Sequence, residues 1–252
     1  MRRFSLSICA VLILFSCSRY LTVTQVNTKN TLVEIQNTSI DSLAESIVKP
    51  YRDSIEHDMS KLVGVTATAL VKGKPESKLT NLVADVILKY AINYCSEKQL
   101  NINPDVAYVN YGGLRASLPK GEITVGHIFE LMPFENEIVM VKVSGEAIRK
   151  MAERIAGRGG EGVSGLKLGI KNNTVGMLTI GGKAVDPAAS YWVVTNDYIA
   201  NGGDQMSMFI TPLEKIETKA KIRDVLIHSL NNMYKEIGGI DVEMDGRIYN
   251  EQ

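Results

Sequence analysis

Histidine is scarce in this chain: His57, His127 and His228 are the only three among 252 residues. They fall on three separate predicted elements, and no Asp-x-His or His-x-His pair occurs. Hydrolysis at two metals needs several His and carboxylate ligands converging on ions about 3.5–4 Å apart. That pattern is missing, as are Gly-x-Ser-x-Gly, a Cys–His arrangement and a P-loop. We therefore expect no catalytic residue and no metal ligand in these residues. An excess of either charge is also lacking, with 28 basic and 28 acidic residues. A neutral balance offers no broad basic face, so a nucleic acid polymer is not an expected partner. Cysteine is rare, with Cys9, Cys17 and Cys95 alone. The first two lie in the N-terminal segment, so Cys95 has no partner for an internal disulfide and reads as a small buried hydrophobe.

The one long apolar run is at the N-terminus. Met1-Arg2-Arg3 precedes "FSLSICAVLILF", which is too short to span a bilayer comfortably. It stops at "LFSCS", where Ser16 precedes Cys17. This resembles a bacterial lipobox, so residues 1–17 are expected to be a lipoprotein signal ending in a lipidated Cys17. The alternatives are an ordinary signal peptide or a stubby membrane anchor. Lipid on Cys17 would tether the chain to a membrane, and the expected location is the cell envelope, on the periplasm-facing outer membrane. Residues 18–38 are polar and without period, and read as a tether.

The remainder is rich enough in apolar residues to bury a core, 45% of the whole chain being hydrophobic. A helix is predicted from Asp41 to Ser60, with Ile40, Leu43, Ile47, Tyr51, Ile55 and Met59 along one face and Pro50 kinking it. "VGVTATALV" alternates as a strand, and "SKLTNLVADVILKYAINYC" is an amphipathic helix. "DVAYVN", "EIVMVKVSG", "GLKLGI", "VGMLTIGG" and "YWVVTND" read as strands. "TVGHIFELM" reads as a short helix, and Ser144 as the N-cap of "GEAIRKMAERIAG". A last helix is predicted from about Lys219 to Ile237, capped by Thr218, with "DGRIYN" closing a sheet edge. The order is irregular for a Rossmann sheet, so the expected fold is α+β, a single mixed domain over 39–252.

Three loops carry chemistry. "VNYGGLRASLPKG" holds Asn110, Gly112, Gly113 and Arg115; "LMPFENEI" holds Phe134; "DYIANGGDQM" holds Tyr198, Asn201, Gly203 and Asp204. Glycines let backbone approach a ligand closely. Asn110 can donate and accept, and Arg115 offers a planar fork for anions or ring nitrogens. Phe134 and Tyr198 could sandwich a flat ring, and Asp204 could accept two hydroxyl protons. Each loop taken alone is more often a plain turn or part of a core than a site.

Together, the run from "NLVADVILKYA" through "VNYGGLR", "GEITVGHIFELMPFENEIVMVKVSGEAIRKM" and "YWVVTNDYIANGGDQM" resembles the C-terminal, substrate-binding domain of the 5′-nucleotidase family. That family includes periplasmic UDP-sugar hydrolases and cyclic-nucleotide phosphodiesterases. The resemblance runs from about Tyr51 to Tyr249. It implies that Asn110 and Arg115 hydrogen-bond a base or ribose, and that Phe134 and Tyr198 stack on its two faces. It implies that Asp204 takes ribose hydroxyls, in a turn shaped by Asn201 and Gly203, and that Gly113 belongs to the substrate-binding loop of Asn110 and Arg115. Two departures stand out. Family members often carry an Arg before the "NL" helix, where this chain has Lys72, Lys74 and Lys78. Family enzymes also carry an N-terminal metallophosphoesterase domain holding two metals, whose motifs are absent here. The expectation is a nucleoside- or nucleotide-recognition half, with no cofactor of its own and two divalent metals in a separate metallophosphoesterase subunit. The alternative is a free-standing, membrane-anchored nucleotide-binding module.

Overall fold

The computed structural model describes residues 23, 25–30 and 41–251. The expected lipobox with Cys17, most of the expected tether and Ile40 lie outside the described residues. Among those described, no helix is long and apolar enough to cross a membrane. The chain divides into two units between Val48 and Lys49.

That boundary falls within helix α1 (Ser42–Met59). The predicted apolar stripe is present, but Leu43, Ile47, Tyr51 and Ile55 are all exposed and the helix buries no residue. Helical periodicity alone therefore did not announce burial. Pro50 lies inside an uninterrupted helical run.

The second unit is built on a five-stranded sheet in the order β10-β4-β9-β2-β5: Glu214–Lys221, Glu137–Ser144, Ser190–Asn196, Val106–Val109 and Gly162–Ser164. The inner strands β4, β9 and β2 read as near-continuous apolar runs because both faces are covered. Successive side chains alternate between two cores, as the two-residue period of a strand requires. Ala107, Val109, Ile138, Met140 and Val194 enter one core with helices α2 (Lys78–Glu97) and α6 (Ile222–Ile237). Val106, Tyr108, Val139, Val141 and Val193 enter the other with α4 (Gly145–Gly157). The second core is completed by a four-stranded sheet in which β11 (Ile248–Asn250) forms the edge beside β6 (Leu166–Lys171), followed by β7 (Thr174–Ile180) and β8 (Lys183–Ala184). A separate pair joins β1 (Leu62–Thr66) to β3 (Gly121–Thr124), which leads into α3 (Val125–Leu131). The whole is an α+β fold, as expected, and Cys95 is a buried free thiol.

Helix starts follow side-chain chemistry. Ser77 caps α2: its Oγ accepts from Thr80 N at 3.2 Å, and Thr80 Oγ1 accepts from Ser77 N at 3.2 Å. We expect Ser77→Ala to lower stability by about 1 kcal/mol, measured by urea unfolding. Ser144 caps α4 as predicted. Thr218 does not cap α6. It lies in β10, where its Oγ1 donates to Ile138 O at 2.8 Å, and the helix begins at Ile222. The charged, alternating "EKIETKAK" of this edge strand lacks the apolar run that marks its neighbours.

Strand polarity decides where the loops go. β2 and β9 are parallel, pairing Val106 with Val193 and Ala107 with Val194. Their C-terminal ends, at Asn110 and Asn196, therefore share one end of the sheet. β4 runs antiparallel to β9, with Ile138 opposite Asn196, so its start and the preceding Phe134 lie there too. β5 runs antiparallel to β2, with Gly162 opposite Val109, which brings Glu161 to the same end.

Candidate functional site

A cavity of about 380 Å³ opens at that end of the sheet, lined by Asn110, Gly112, Gly113, Arg115, Phe134, Asn136, Tyr198 and Asp204. The three loops quoted from the sequence therefore meet. Phe134 is 47% exposed and Tyr198 49% exposed. Aromatic rings held half in water at a cavity mouth are available to a flat ligand. Arg115 donates from Nη1 to Gly112 O at 3.0 Å, and its guanidinium lies 6.0 Å from the Phe134 ring centroid.

The polar floor is more occupied than the sequence suggested. Asn110 is only 5% exposed. Its Nδ2 donates to Asp204 Oδ2 at 2.7 Å, and its Oδ1 accepts from Asn196 Nδ2 at 3.2 Å. Asn196 in turn caps the short helix α5 (Asp197–Ala200), accepting from Ile199 N at 2.8 Å. Asn110 is thus a bracket between two loops, with one amide hydrogen to spare. Gly113 has to be glycine: a Cβ there would lie 2.8 Å from Asn110 Oδ1.

The Asn-Gly-Gly-Asp corner folds back on Tyr198. Gly202 is left-handed, with φ 89°, and Asp204 follows at φ 52°, a region that only Gly, Asn and Asp visit readily. A Cβ on Gly203 would sit 2.5 Å from the Tyr198 ring, so that ring packs on the bare backbone. The Tyr198 hydroxyl donates to Asp204 Oδ1 at 3.3 Å and accepts from Asp204 N at 3.2 Å. Asn201 does not line the cavity. It is exposed, and its backbone N–H closes the helix by donating to Asp197 O at 3.0 Å.

Three residues near the cavity carried no readable signal. Asn136 lines it, and Arg158 and Glu161 stand behind it. "GRGGEG" reads as a turn after a helix, and nothing in that pattern marks its two charges as neighbours of Asp204. Lys72, Lys74 and Lys78 do not line the cavity. Lys72 Nζ donates to Leu114 O at 2.6 Å and lies 4.0 Å from the Tyr111 ring centroid, with Lys74 at 4.9 Å. Burial, then the nearby Arg115 charge, lowers the Lys72 pKa. Lys78 pairs instead with Glu243.

The described residues form no group of three or more His, Cys, Asp or Glu that could hold a metal ion. His57 lies on α1; His127 Nδ1 accepts from Thr124 N at 3.1 Å as part of a helix cap; His228 lies 2.9 Å from Asn232 on α6. The residues present do not fit a two-metal centre.

The sequence matches the family described as 5′-nucleotidase, C-terminal domain, over residues 59–211. It is 27% identical over 196 residues to the trifunctional nucleotide phosphoesterase protein YfkN of Bacillus subtilis (strain 168), covering 69% of this chain and 13% of that protein. It is 28% identical over 233 residues to protein 5NUC of Lutzomyia longipalpis, covering 80% and 40%. The crystal structure of a 5′-nucleotidase precursor from Thermus thermophilus is similar with a TM-score of 0.71 at 26% identity, covering 83% of this chain and 43% of that one. The chain spans less than half the length of each of these relatives.

Proposed function

The chain belongs to the 5′-nucleotidase C-terminal domain family, and on that premise we propose that it is the nucleoside- or nucleotide-recognising half of a 5′-nucleotidase-type hydrolase in nucleotide catabolism. Phosphoester hydrolysis then comes from a two-metal metallophosphoesterase on a separate chain that docks against this one. Lipid on Cys17 would hold the protein at the cell envelope, on the periplasm-facing outer membrane.

One observation carries this reading. Two half-exposed aromatic rings, a guanidinium and a carboxylate, from loops far apart in sequence, line one cavity. In the proposed complex Phe134 and Tyr198 take the two faces of the base. Asp204 accepts from ribose hydroxyls, exchanging its contact with the Tyr198 hydroxyl for them. Arg115 and the spare Asn110 amide hydrogen address polar edges of the ligand. Gly113 and Gly203 act by leaving room.

Stacking contributes roughly 1–3 kcal/mol per base–aromatic contact, and a charge-assisted hydrogen bond about 1.5–3 kcal/mol. The loss of translational and rotational freedom offsets much of that. The expected dissociation constant is on the order of 10 μM to 1 mM, a range suited to a substrate domain. Calorimetric titration of the purified protein with adenosine, AMP and UMP tests the proposal. Saturable binding in that range, without AMP turnover in Mn²⁺, Zn²⁺ or Co²⁺, is the expected result. Absence of binding at millimolar ligand would sink it. Binding with no metallophosphoesterase chain able to couple to it would leave the free-standing module.

A further inference from the structure

Glu161 is a carboxylate that does not line the nucleoside cavity, and it is only 4% exposed. It accepts from the backbone N–H of Tyr111, in the loop that carries Asn110. Its Oε1 also takes Arg158 Nη1 at 3.3 Å. The same guanidinium reaches the other ligand loop, where Nη2 donates to Asp204 O at 2.7 Å. Arg158 Nη1 stands 3.9 Å from Asp204 Oδ2, farther than from Glu161. The guanidinium is thus shared between two carboxylates, and Glu161 holds the nearer share.

This division matters because Asp204 already has two partners, Asn110 on Oδ2 and the Tyr198 hydroxyl on Oδ1. A closer Arg158 would turn that 3.9 Å ion pair into a charge-assisted hydrogen bond, and such bonds are stronger than neutral hydrogen bonds to a sugar hydroxyl. We propose that Glu161 is a positioning residue of the nucleoside site, holding the Arg158 guanidinium off the Asp204 carboxylate so that this carboxylate can accept from the vicinal hydroxyls of a ribose. The inference rests on the nucleoside-site reading above. It goes beyond it by making recognition of the sugar, rather than the base, depend on a buried charge that touches no ligand.

The charged and titratable groups around Glu161 come from every side. Arg158 follows α4; Lys72 and Lys74 precede α2; Tyr108 projects from β2; Asp204 faces it across Arg158. Burial raises the Glu161 pKa, against the opposing pull of the Tyr111 N–H, Arg158 and Lys74. Acidification through that raised pKa protonates Glu161 and releases Arg158 towards Asp204. Stability moves the other way. A carboxyl with a higher pKa in the folded chain than in the unfolded one binds its proton more tightly when folded. Its contribution to stability is therefore full at low pH and is lost as pH rises through the folded pKa. A fall in affinity on acidification is thus not a loss of fold at this group.

The experiment titrates adenosine and 2′,3′-dideoxyadenosine into the wild-type protein and Glu161→Gln, from neutral pH downwards for as long as the fold persists. Near neutrality Glu161→Gln is expected to weaken adenosine binding about five- to tenfold and to leave the dideoxynucleoside unchanged. Wild-type affinity for adenosine is expected to fall on acidification, and that of Glu161→Gln to stay flat. Equal loss for both ligands would mean that Glu161 merely holds the fold and would overturn the proposal. So would unchanged adenosine binding in the variant, or a flat wild-type pH profile. Should Glu161→Gln fail to fold, the wild-type pH profiles of the two ligands decide alone. Wild-type protein that binds neither ligand would instead overturn the nucleoside site itself, a result distinct from loss of the Glu161 role.

Discussion

Tyr198→Ala is expected to weaken nucleoside binding about 10- to 100-fold while leaving the unfolding midpoint almost unchanged. The ring is 49% exposed, so its removal leaves no cavity in either core. Surface substitutions away from buried features usually change stability by no more than about 0.5 kcal/mol. The site loses one stacking face, worth roughly 1–3 kcal/mol, and each factor of ten in affinity corresponds to about 1.4 kcal/mol. The turn also loses the hydroxyl that holds Asp204 Oδ1 and Asp204 N. Tyr198→Phe separates the two effects, because it keeps the ring and removes only the hydroxyl. Calorimetric titration of both variants with adenosine, beside thermal melts, is the check. Unchanged affinity in Tyr198→Ala would remove this residue from the site.

Gly160→Ala is expected to destabilise the fold by about 2–4 kcal/mol, a size reserved for strained backbone and forced overlap. Gly160 has φ 119°, which an L side chain rarely adopts, and a Cβ there would lie 2.1 Å from Pro75 O and 2.5 Å from Pro75 Cα. Neither neighbour is a flexible side-chain tip, so backbone has to move. The Gly160 N–H also ends α4 by donating to Ile155 O at 3.0 Å. Because Glu161 is the next residue, the same shift would disturb its bond to Tyr111 N. Gly157→Ala is the control: its Cβ would meet nothing within 4 Å, and alanine favours a helix by up to about 1 kcal/mol over glycine. Urea unfolding of the two variants side by side measures the contrast. Equal stabilities would show that the 158–161 turn yields freely.

The reach of sequence reasoning differs by element. Strands β2, β4 and β9 were legible because burial on both faces leaves apolar runs, α2 because its apolar residues recur on one side, and α4 because Ser144 announces its first turn. β10 was not, since an edge strand needs no apolar run and its lysines and glutamates alternate into solvent. The helix α1 was legible from its apolar stripe, yet it buries no residue.

For the site, the residue types in the three loops determined what chemistry is available: a fork at Arg115, rings at Phe134 and Tyr198, a carboxylate at Asp204. The chain order of those motifs carried the family resemblance. Only the tertiary structure decided that they meet, because convergence depends on strand direction. β2 lies parallel to β9 and antiparallel to β5, while β4 lies antiparallel to β9, so four segments distant in sequence end at one edge. The structure alone also turned Asn201 out to solvent, made Asn110 a bracket and put Arg158 and Glu161 behind Asp204. Motifs are local and a sequence can display them. Which charge faces which carboxylate is a long-range pairing, fixed by sheet register and packing.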